Sequence, residues 1–506
     1  MRNVKWFLAS ALLAAGILFG AGNHVDAASV KIDEKTFPDA CVRASVDKYD
    51  INKDGILSDE ERAKVTTFSY TDLRISQNHK EGSKIDFTGM QLFGNIHSLK
   101  LDLHYQAAGG IEKEWDYRGD NLSACFPKLE SLYLRGNSKT KLDLTALKNS
   151  SLKYLVLENM PAQQMDLTPL STTKLETLSL EDCKISALNL KPLTKMNLKK
   201  LYVINCTLKS IDVSPLKNTL QELWLGEPQQ MYLSLGKECM QTKAKYKTLD
   251  LSQMKRLKRV YACGIPSLTK VTLKKGSQSA SALKELHLYG TAIKSMNASG
   301  AIKLQRLFIG DKTSKLNISK CTQLTELGTN ISIKSKSLQH IQYYGKKVKK
   351  LSFVNCPKLF SLRTACSTVN TLDLSHNKNL HYLDLSNKKT GKVIYPKVQT
   401  KGWSGYYELV DSYFANRYTR DMDIADGVYN VYTGYSSQGA VGTLDVSAWK
   451  VMNNYVRKRQ ITNEYTLHKG KNGVPKKLVI NKKLRKADKK WIKKFAKKWH
   501  VKVVEK

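Results

Sequence analysis

The clearest pattern along the chain is a short apolar line, Leu-x-x-Leu-x-Leu, that returns at a nearly constant interval. The first leucines of successive lines are 23, 23, 23 and 22 residues apart. A fixed period of this size predicts a solenoid, in which each unit is one short strand plus a return segment. One unit cannot bury its own apolar face, so neighbouring units share a continuous core. The regular lines begin at Leu129, Leu152, Leu175, Leu198 and Leu220.

The alternation within each line predicts which side chains face solvent. Successive side chains of a strand point to opposite faces, so the leucines point inward and the residues between them point outward on the concave side. The middle x of each Leu-x-Leu then forms a row across the sheet. Contiguous exposed aromatic side chains in such a row mark contact surfaces. We predict a ligand surface from this row and the two arginines beside it: Tyr202, Trp224, Tyr261, His287, Phe308, Arg259 and Arg306.

Two alternatives to this ligand surface stay open. The irregular return at 226–256 could pack over the rings, or the aromatic residues could be present only because they form strands well. After this return the lines resume at Leu257 but become less regular, and the step from Leu324 to Leu338 is only 14 residues. A strand and its return could therefore be exchanged in the second half. A second short line, of which Thr371-Leu372-Asp373-Leu374-Ser375 is one example, is interpreted as the return on the convex side.

A twelve-residue segment before the repeats has the ligand spacing of a calcium loop. Residues 50–61 fit D-x-[DN]-x-[DN]-G-x5-E, the EF-hand pattern, and Gly55 permits its sharp turn. Calcium prefers six to eight hard oxygen ligands, so we predict a structural calcium ion here. The alternative is that the acidic residues only cap a helix. The predicted ligands are Asp50, Asn52, Asp54, Ile56 through its carbonyl, Ser58 and Glu61.

The order of these segments resembles a group of secreted or surface bacterial leucine-rich-repeat proteins, loosely internalin-like, with an EF-hand-like cap before the solenoid. The resemblance covers residues 35–390 and implies an extracellular binding role without catalysis. Internalins have an asparagine ladder, whereas the equivalent positions here are Asn137, Met160, Cys183, Cys206 and Pro228. The resemblance therefore implies no specific internalin-type partner.

The net charge and an export signal predict where the protein is located and which kind of partner it attracts. Lys plus Arg number 83 against 44 Asp plus Glu, a net charge of +39 that favours polyanionic partners. Residues 1–27 have the basic, apolar and small-residue regions of a signal peptide, so we predict secretion, retention at the surface by charge, and no membrane insertion after cleavage. Nine scattered cysteines in an exported chain would suggest disulfides, but their positions favour buried free thiols. Export, with no nucleic-acid motif, argues against nucleic acid.

The last segment, 475–506, is strongly basic and has a helical apolar stripe. Fourteen Lys or Arg residues stand against two acids, and Trp491, Ile492, Phe495 and Trp499 fall on one helix face. The helix could hold anionic polymers or a membrane surface, or it could simply pack on flanking strands with its lysines in solvent. The predicted polyanion-binding residues are Lys489, Lys490, Lys493, Lys494, Lys497 and Lys498.

Together these patterns predict an α/β solenoid, a leucine-rich-repeat horseshoe with a parallel concave sheet, a helical EF-hand-like N-terminal cap and a small basic α+β C-terminal region. We find no catalytic motif and predict no enzyme activity. The predicted function is extracellular binding or adhesion to a protein or glycan on the concave face; the alternative is binding of anionic cell-wall or host polymers, or a membrane surface, through the basic end. The predicted segments are 1–27 signal peptide, 28–92 cap, 93–390 solenoid, 391–474 Tyr/Gly-rich β region or C-terminal cap, and 475–506 basic end.

Overall fold

A computed structural model describes fifteen stretches of the chain, which divide into two compact units at residues 29–280 and 281–506. The predicted signal peptide and most of segment 391–474 lie outside them. No helix in these stretches combines the length and apolar character needed to cross a bilayer. The described residues are 29–70, 85–102, 105–106, 112–113, 122–136, 140, 142–161, 165–226, 242–310, 312–380, 382–385, 390–394, 430–432, 441–447 and 475–506.

The first unit opens with a small helical segment around the predicted calcium loop. The Asp39 carboxylate accepts the N–H groups of residues 41 and 42 and so caps the first helix. Ser58 and Glu61 form a reciprocal capping box on the second helix. The first strand pairs antiparallel with the strand that leaves the loop. These elements are β1 (Val30–Lys31), α1 (Ala40–Val46), β2 (Ile56–Leu57) and α2 (Asp59–Ala63).

The concave sheet of the first unit is parallel, and each of its strands contains one apolar line. Its strands pair in the order β3, β4, β7, β8, β9, β10, β11 and β13. The strand β12 lies on the return side, where it pairs with β14. β5–β6 and β15–β16 are antiparallel pairs. The remaining elements are β3 (Thr67–Tyr70), β4 (Ser98–Asp102), β5 (Tyr105–Gln106), β6 (Glu112–Lys113), α3 (Leu122–Cys125), β7 (Ser131–Arg135), β8 (Tyr154–Glu158), β9 (Thr177–Glu181), β10 (Lys200–Ile204), β11 (Glu222–Trp224), β12 (Thr248–Asp250), β13 (Arg259–Tyr261), β14 (Lys270–Thr272), β15 (Lys274–Lys275) and β16 (Gln278–Ser279).

The return segments of the regular repeats are short 3-10 turns, each started by an Asp or Asn side chain. The Oδ1 atom of this residue accepts the N–H two residues later, which fixes the turn locally. The leucines that end these turns are buried, so each return closes the core from the convex side. The turns are Thr145–Leu147, Thr168–Thr172, Lys191–Leu193 and Ser214–Leu216.

Cysteines stack where internalins have asparagines. The Cys183 thiol lies 3.4 Å from the Leu157 carbonyl, and the Cys206 thiol lies 3.4 Å from the Leu180 carbonyl. Each thiol thus acts as a weak donor to the preceding turn. The prediction that the cysteines are buried is confirmed for both of these side chains. All eight described cysteines are buried, and none of them is joined to another described cysteine by a disulfide.

The second unit has two parallel rows of strands, one on the concave side and one on the return side. β22 and β23 are 13 residues long and contribute to both rows. β18 and β20 pair with each other on the return side. The strands are β17 (Glu285–His287), β18 (Ser295–Asn297), β19 (Arg306–Phe308), β20 (Lys315–Asn317), β21 (Glu326–Thr329), β22 (His340–Ser352), β23 (Ser361–Asp373), β24 (Tyr382–Leu385), β25 (Thr390–Ile394), β26 (Asn430–Tyr432), β27 (Val441–Asp445), β28 (Lys477–Ile480) and β29 (Lys502–Glu505).

The register settles the repeat phase that the sequence left open after Leu324. Leu327 of β21 stands opposite Ile341 of β22, which in turn stands opposite Leu362 of β23. The line that begins at Leu338 therefore continues the concave sheet, and strand and return are not exchanged. On the return side, Leu372 aligns with Val393 and the row continues through β27, β28 and β29. A single helix, α4 (Lys486–Trp499), connects β28 to β29.

Candidate functional site

Three rings of the predicted ligand surface form a contiguous cluster in the first unit. Tyr202, Trp224 and Tyr261 are aligned in register across β10, β11 and β13. The ring centroids of Tyr202 and Trp224 are 5.5 Å apart, and those of Trp224 and Tyr261 are 4.3 Å apart. Trp224 and Tyr261 remain half-buried, while Tyr202 is nearly covered. We call these three residues the aromatic cluster.

Opposite charges alternate beside the aromatic cluster. Arg259 Nε donates to Glu222 Oε1 at 2.9 Å, and Lys200 Nζ lies 3.9 Å from the other oxygen of the same carboxylate. Glu222 is buried, whereas Arg259 and Lys200 are exposed. The carboxylate therefore holds Arg259 along the sheet, next to Tyr261, so that a cation and three rings share one rigid surface. Arginine beside an aromatic face is well suited to stacking and to recognition of carboxylates.

The indole of Trp224 has an unused donor. Its Nε1 atom is buried and makes no hydrogen bond with any other described residue. A buried N–H without an acceptor costs free energy that a ligand carbonyl or hydroxyl could recover. The predicted covering return is only partly described: Lys245 N donates to Leu208 O at 2.7 Å, so this portion lies on the return side. Residues 227–241 are outside the described part of the chain.

The other two rings lie in the second unit and are covered, contrary to the expected exposed row. Phe308 is 2% exposed and His287 is 7% exposed, and their rings stack with centroids 4.5 Å apart. The ring centroids of Tyr289 and Phe308 are 5.5 Å apart. Gly328 is the neighbouring concave position, and its missing side chain leaves the space that both rings occupy. Burial lowers the pKa of His287 to about 3, so this imidazole is neutral. The predicted row is thus accessible only in its first-unit part.

Buried carboxylates accompany these covered rings. Arg306 lies 3.1 Å from Glu285 on one side and stands opposite Glu326 of the adjacent strand β21 on the other. Burial raises the pKa of Glu326 to about 7, with a further upward contribution from Glu285 that Arg306 opposes. Arg306 is half-buried and engaged by acids of its own sheet. The predicted role of Arg306 in ligand binding is not tested by this geometry.

The calcium-loop residues adopt a tight turn around a buried carboxylate. Lys53 and Gly55 have φ angles of 60° and 80°, and Gly55 N donates to Asp50 Oδ2 at 2.8 Å. The Glu61 carboxylate points back into the loop, accepting from the N–H groups of Ile51 and Ser58 at 2.8 and 2.9 Å. These bonds, those to Ser58 first, lower the pKa of Glu61 to about 2, which keeps it ionised.

The donor chemistry of this loop fits a hard cation. Asp50 Oδ1 is buried and accepts no hydrogen bond from any described residue, so one carboxylate oxygen lacks a protein donor. The remaining candidate ligands, at Asn52, Asp54, Ile56 and Ser58, are all oxygens of the kind calcium selects. Across the stretches that the structure describes, no three His, Cys, Asp or Glu side chains are already close enough together to hold a metal ion. Calcium at this loop stays a prediction.

The basic helix α4 is packed on one side and open on the other. Ile492 and Phe495 are buried, and the Trp491 ring stacks on Phe495 at 5.3 Å. Asp488, completely buried, accepts two bonds from Arg485, and Lys489 pairs with Glu505 at 2.6 Å. Both acids of this segment are thereby neutralised. The remaining predicted polyanion-binding side chains are exposed: Lys490, Lys493, Lys494, Lys497 and Lys498.

Sequence reasoning missed the buried acids of the concave sheet and the extension of the return row. Glu222, Glu285 and Glu326 occupy the same register position, one residue before the inward-facing leucine. Glutamate recurs at that position of the line, and Arg259 and Arg306 occupy it in the lines between. This alternation could have predicted the row of acids from the sequence. The five residues from Thr443 to Ser447 also repeat the Thr-Leu-Asp-x-Ser return line, which places β27 in the return row.

Comparisons with known proteins return leucine-rich-repeat structures. No protein-family profile matches the chain, and no functionally curated protein matches it. The functional domain of InlJ from Listeria monocytogenes is 16% identical, covers 73% of this chain and 83% of its own, and has a TM-score of 0.40. A leucine-rich-repeat protein of Leptospira interrogans is 16% identical over 88% of this chain and 97% of its own, with a TM-score of 0.47. An internalin of Listeria monocytogenes is 20% identical over 62% and 92%, with a TM-score of 0.35.

Proposed function

We propose that this chain is an extracellular, non-catalytic binding protein whose aromatic cluster engages a protein or glycan on the concave face of the first unit. The observation that carries the proposal is the half-buried Trp224, held between two tyrosines and beside the Arg259–Glu222 pair. Rings on paired strands lose little conformational entropy on binding, so they anchor a ligand effectively. Tryptophan, tyrosine and arginine are the residues that most often dominate binding energy.

The same cluster suits either ligand class. A protein partner can bury an apolar side chain against Trp224 and place a carboxylate on Arg259. A sugar can stack its apolar face on the same indole, with its hydroxyls bonded by the exposed Arg259 side chain. Both classes of ligand would contact the rings and the charged side chains beside them. A binding experiment is therefore needed to distinguish a protein ligand from a glycan.

A binding screen tests the proposal directly. The mature chain, residues 28–506, is applied to arrays of extracellular proteins and of glycans, with retention measured at 0.15 M salt. We expect at least one protein or glycan to be retained with an affinity that changes little with salt, because ring contacts are not screened. Retention of polyanions alone, lost at higher salt, would contradict binding through the aromatic cluster.

We propose as a second candidate that the exposed face of α4 binds anionic cell-wall or host polymers, or an anionic membrane surface, and holds the secreted chain at the surface. The observation that favours it is the neutralisation of both local acids by Arg485 and Lys489, which leaves six exposed lysines on α4, namely Lys486 and the five predicted ones. Like charges on one face of a packed helix form a local positive field that attracts polyanions.

Replacing Lys490, Lys493, Lys494, Lys497 and Lys498 of α4 by glutamine is expected to lower affinity for immobilised heparin by about tenfold at moderate salt, since each exposed ion pair contributes little alone. Lys489 is left unchanged because it pairs with Glu505. Retention is measured as the salt concentration needed for elution. The matched control replaces five exposed lysines of the first unit, and equal losses in both variants would contradict a specific role for α4. The control residues are Lys174, Lys184, Lys191, Lys195 and Lys209.

We propose that the loop at residues 50–61 binds one calcium ion as a structural element of the N-terminal segment. Asp50, Asn52, Asp54, Ser58 and Glu61 would supply side-chain oxygens and Ile56 its carbonyl. Support comes from the buried Asp50 oxygen without a donor and from β1, which pairs with the strand leaving the loop. A bound ion would tie this segment together because it binds the folded loop and not the unfolded chain.

Calcium at a hundredfold excess over its dissociation constant is expected to stabilise the segment by about 2–3 kcal/mol. The melting temperature with EDTA should therefore be lower than with calcium, and terbium luminescence should report occupancy independently. Asp50→Asn combined with Asp54→Asn should abolish both effects, whereas Glu60→Gln, an exposed acid outside the ligand set, should preserve them. Equal melting temperatures with and without calcium, and no terbium signal, would reject the site.

A further inference from the structure

The return side of the second unit lacks one strand beside β20. Leu324 and Leu338 are 14 residues apart. This segment is long enough only for the concave strand β21 and for residues 330–337, which we call the short return. β20 pairs in parallel with β18 on one side. No described residue pairs with β20 on the other side. That edge of β20 is therefore open.

The short return is held away from the open edge. Ser335 N donates to the Asn355 carbonyl at 3.1 Å, and the Cys356 thiol lies 3.5 Å from the Ile333 carbonyl. Both bonds fix the short return against the turn that follows it. A cleft of about 900 Å³ remains between the short return and β20.

The floor of this cleft is apolar surface that the other turns bury. Leu316, the middle residue of β20, is half-buried, and so are Ile318 and Ile333. The missing strand explains this exposure, because a neighbouring return strand would cover Leu316. Exposed apolar area of this kind gains free energy when a ligand side chain covers it. Five equivalent middle residues of other return strands are buried: Leu249, Met296, Leu351, Leu372 and Leu444.

The rim of the cleft is basic. Lys334, Lys336 and Lys358 line it, are exposed, and form no ion pair with any other residue in the described stretches. Lys334 and Lys336 are two residues apart, the spacing at which side chains fall on one face of an extended segment. The rim thus matches carboxylates that recur at every second position of a ligand.

The backbone of β20 offers unused hydrogen-bonding groups toward the cleft. Lys315 N donates to the Lys294 carbonyl at 3.2 Å, and Ala298 N donates to the Asn317 carbonyl at 2.9 Å, so both strand ends bond toward β18. Alternate residues of a strand direct their backbone groups to opposite sides. The N–H and C=O of Leu316 consequently face the cleft, ready for an added strand.

We propose that this cleft binds an extended acidic peptide segment of a protein partner by strand addition to the open edge of β20. Apolar side chains of the segment cover Leu316, Ile318 and Ile333, and its alternating carboxylates pair with Lys334, Lys336 and Lys358. The site is separate from the aromatic cluster and does not depend on it.

Labelled synthetic peptides test the site on the full mature chain. The probe is a peptide of about eight residues, the length of a long strand, alternating valine and glutamate. Fluorescence anisotropy is measured against the wild type and against K334Q/K336Q/K358Q. The matched control is K284Q/K303Q/K312Q, which removes three exposed lysines of the same unit. A second probe has the same sequence with N-methylated backbone amides, and a third replaces glutamate by lysine.

We expect the valine–glutamate peptide to bind the wild type and the control equally, and to bind the cleft variant about tenfold more weakly, because three exposed ion pairs are lost. The N-methylated and lysine peptides should not bind. No binding of the first probe would overturn the proposal. Equal weakening in the control variant, or equal affinity of the N-methylated peptide, would do the same, since either shows charge attraction without strand addition.

Discussion

Alanine at both Trp224 and Tyr261 is expected to weaken binding of a concave-face partner by at least about two orders of magnitude. Each truncation of a central aromatic anchor costs about 2–4 kcal/mol in characterised interfaces, although the two effects need not add. The rings are in contact, at 4.3 Å between centroids, so removing both eliminates one continuous surface. The measurement is a titration of wild type and variant with the protein or glycan that the array identifies.

The control for this experiment is Tyr154→Ala. Tyr154 lies on the concave strand β8, is 38% exposed, and is separate from the aromatic cluster. We expect it to bind as the wild type does. The double variant should also keep its cooperative urea unfolding, because Trp224 and Tyr261 are only half-buried and the leucines beneath them are unchanged. Full binding by a folded double variant would exclude the aromatic cluster as the contact surface.

Replacing Glu326 by glutamine is expected to stabilise the second unit by about 3 kcal/mol at pH 8 and to have no effect at pH 4. Burial raises the folded-state pKa of this carboxyl from 4.5 to about 7. A raised pKa contributes stability that is complete below 4.5 and is lost as the pH rises through 7, since ionisation is penalised only in the folded state. Glutamine has the same shape and no charge, so it retains the low-pH stability at every pH.

Urea unfolding at pH 4, 6 and 8, read by pulsed hydrogen exchange of peptides from β21, measures this difference. Arg306 and Glu285 act on the charge of Glu326, so their contributions are part of its raised pKa and disappear together with that charge in the glutamine variant. Burial lowers the pKa of His287, so this residue gives the opposite pH dependence. Its contribution to the stability of the folded state is complete above pH 6.5 and declines as the pH falls toward 3. Because His287 is present in both the wild type and the glutamine variant, its contribution cancels when the two are compared. A stability difference independent of pH would show that Glu326 does not titrate near neutrality.

As far as Leu324, the register of the concave sheet could be predicted residue by residue from the sequence. Counting leucines placed Tyr202, Trp224 and Tyr261 side by side, and the strand pairing has the same alignment. The same row aligns His287 with Phe308, as the pairing of β17 with β19 does. This succeeds because a shift by one residue would turn every leucine toward solvent, so a single register is strongly favoured.

The accessibility of the predicted site could not be derived in the same way. Phe308 is buried because Tyr289 packs on it and because Gly328 has no side chain in that space. Tyr289 lies just after its leucine line, where the repeat pattern assigns no direction to a side chain. The cleft beside β20 had a clear origin in the 14-residue step after Leu324, but its lysine rim depends on bonds between turns that no periodicity specifies.

The stacking of identical turns also determines how the regular run β7–β10 would respond to mechanical force. Among the described residues of this run, each turn is bonded to the turns next to it, through one strand and one short return. Tension applied along the stack would therefore load few bonds at a time and open the run stepwise. A turn of 23 residues, once pulled straight, adds about 75 Å of length. A chain built this way would lengthen under tension while its remaining turns stay folded.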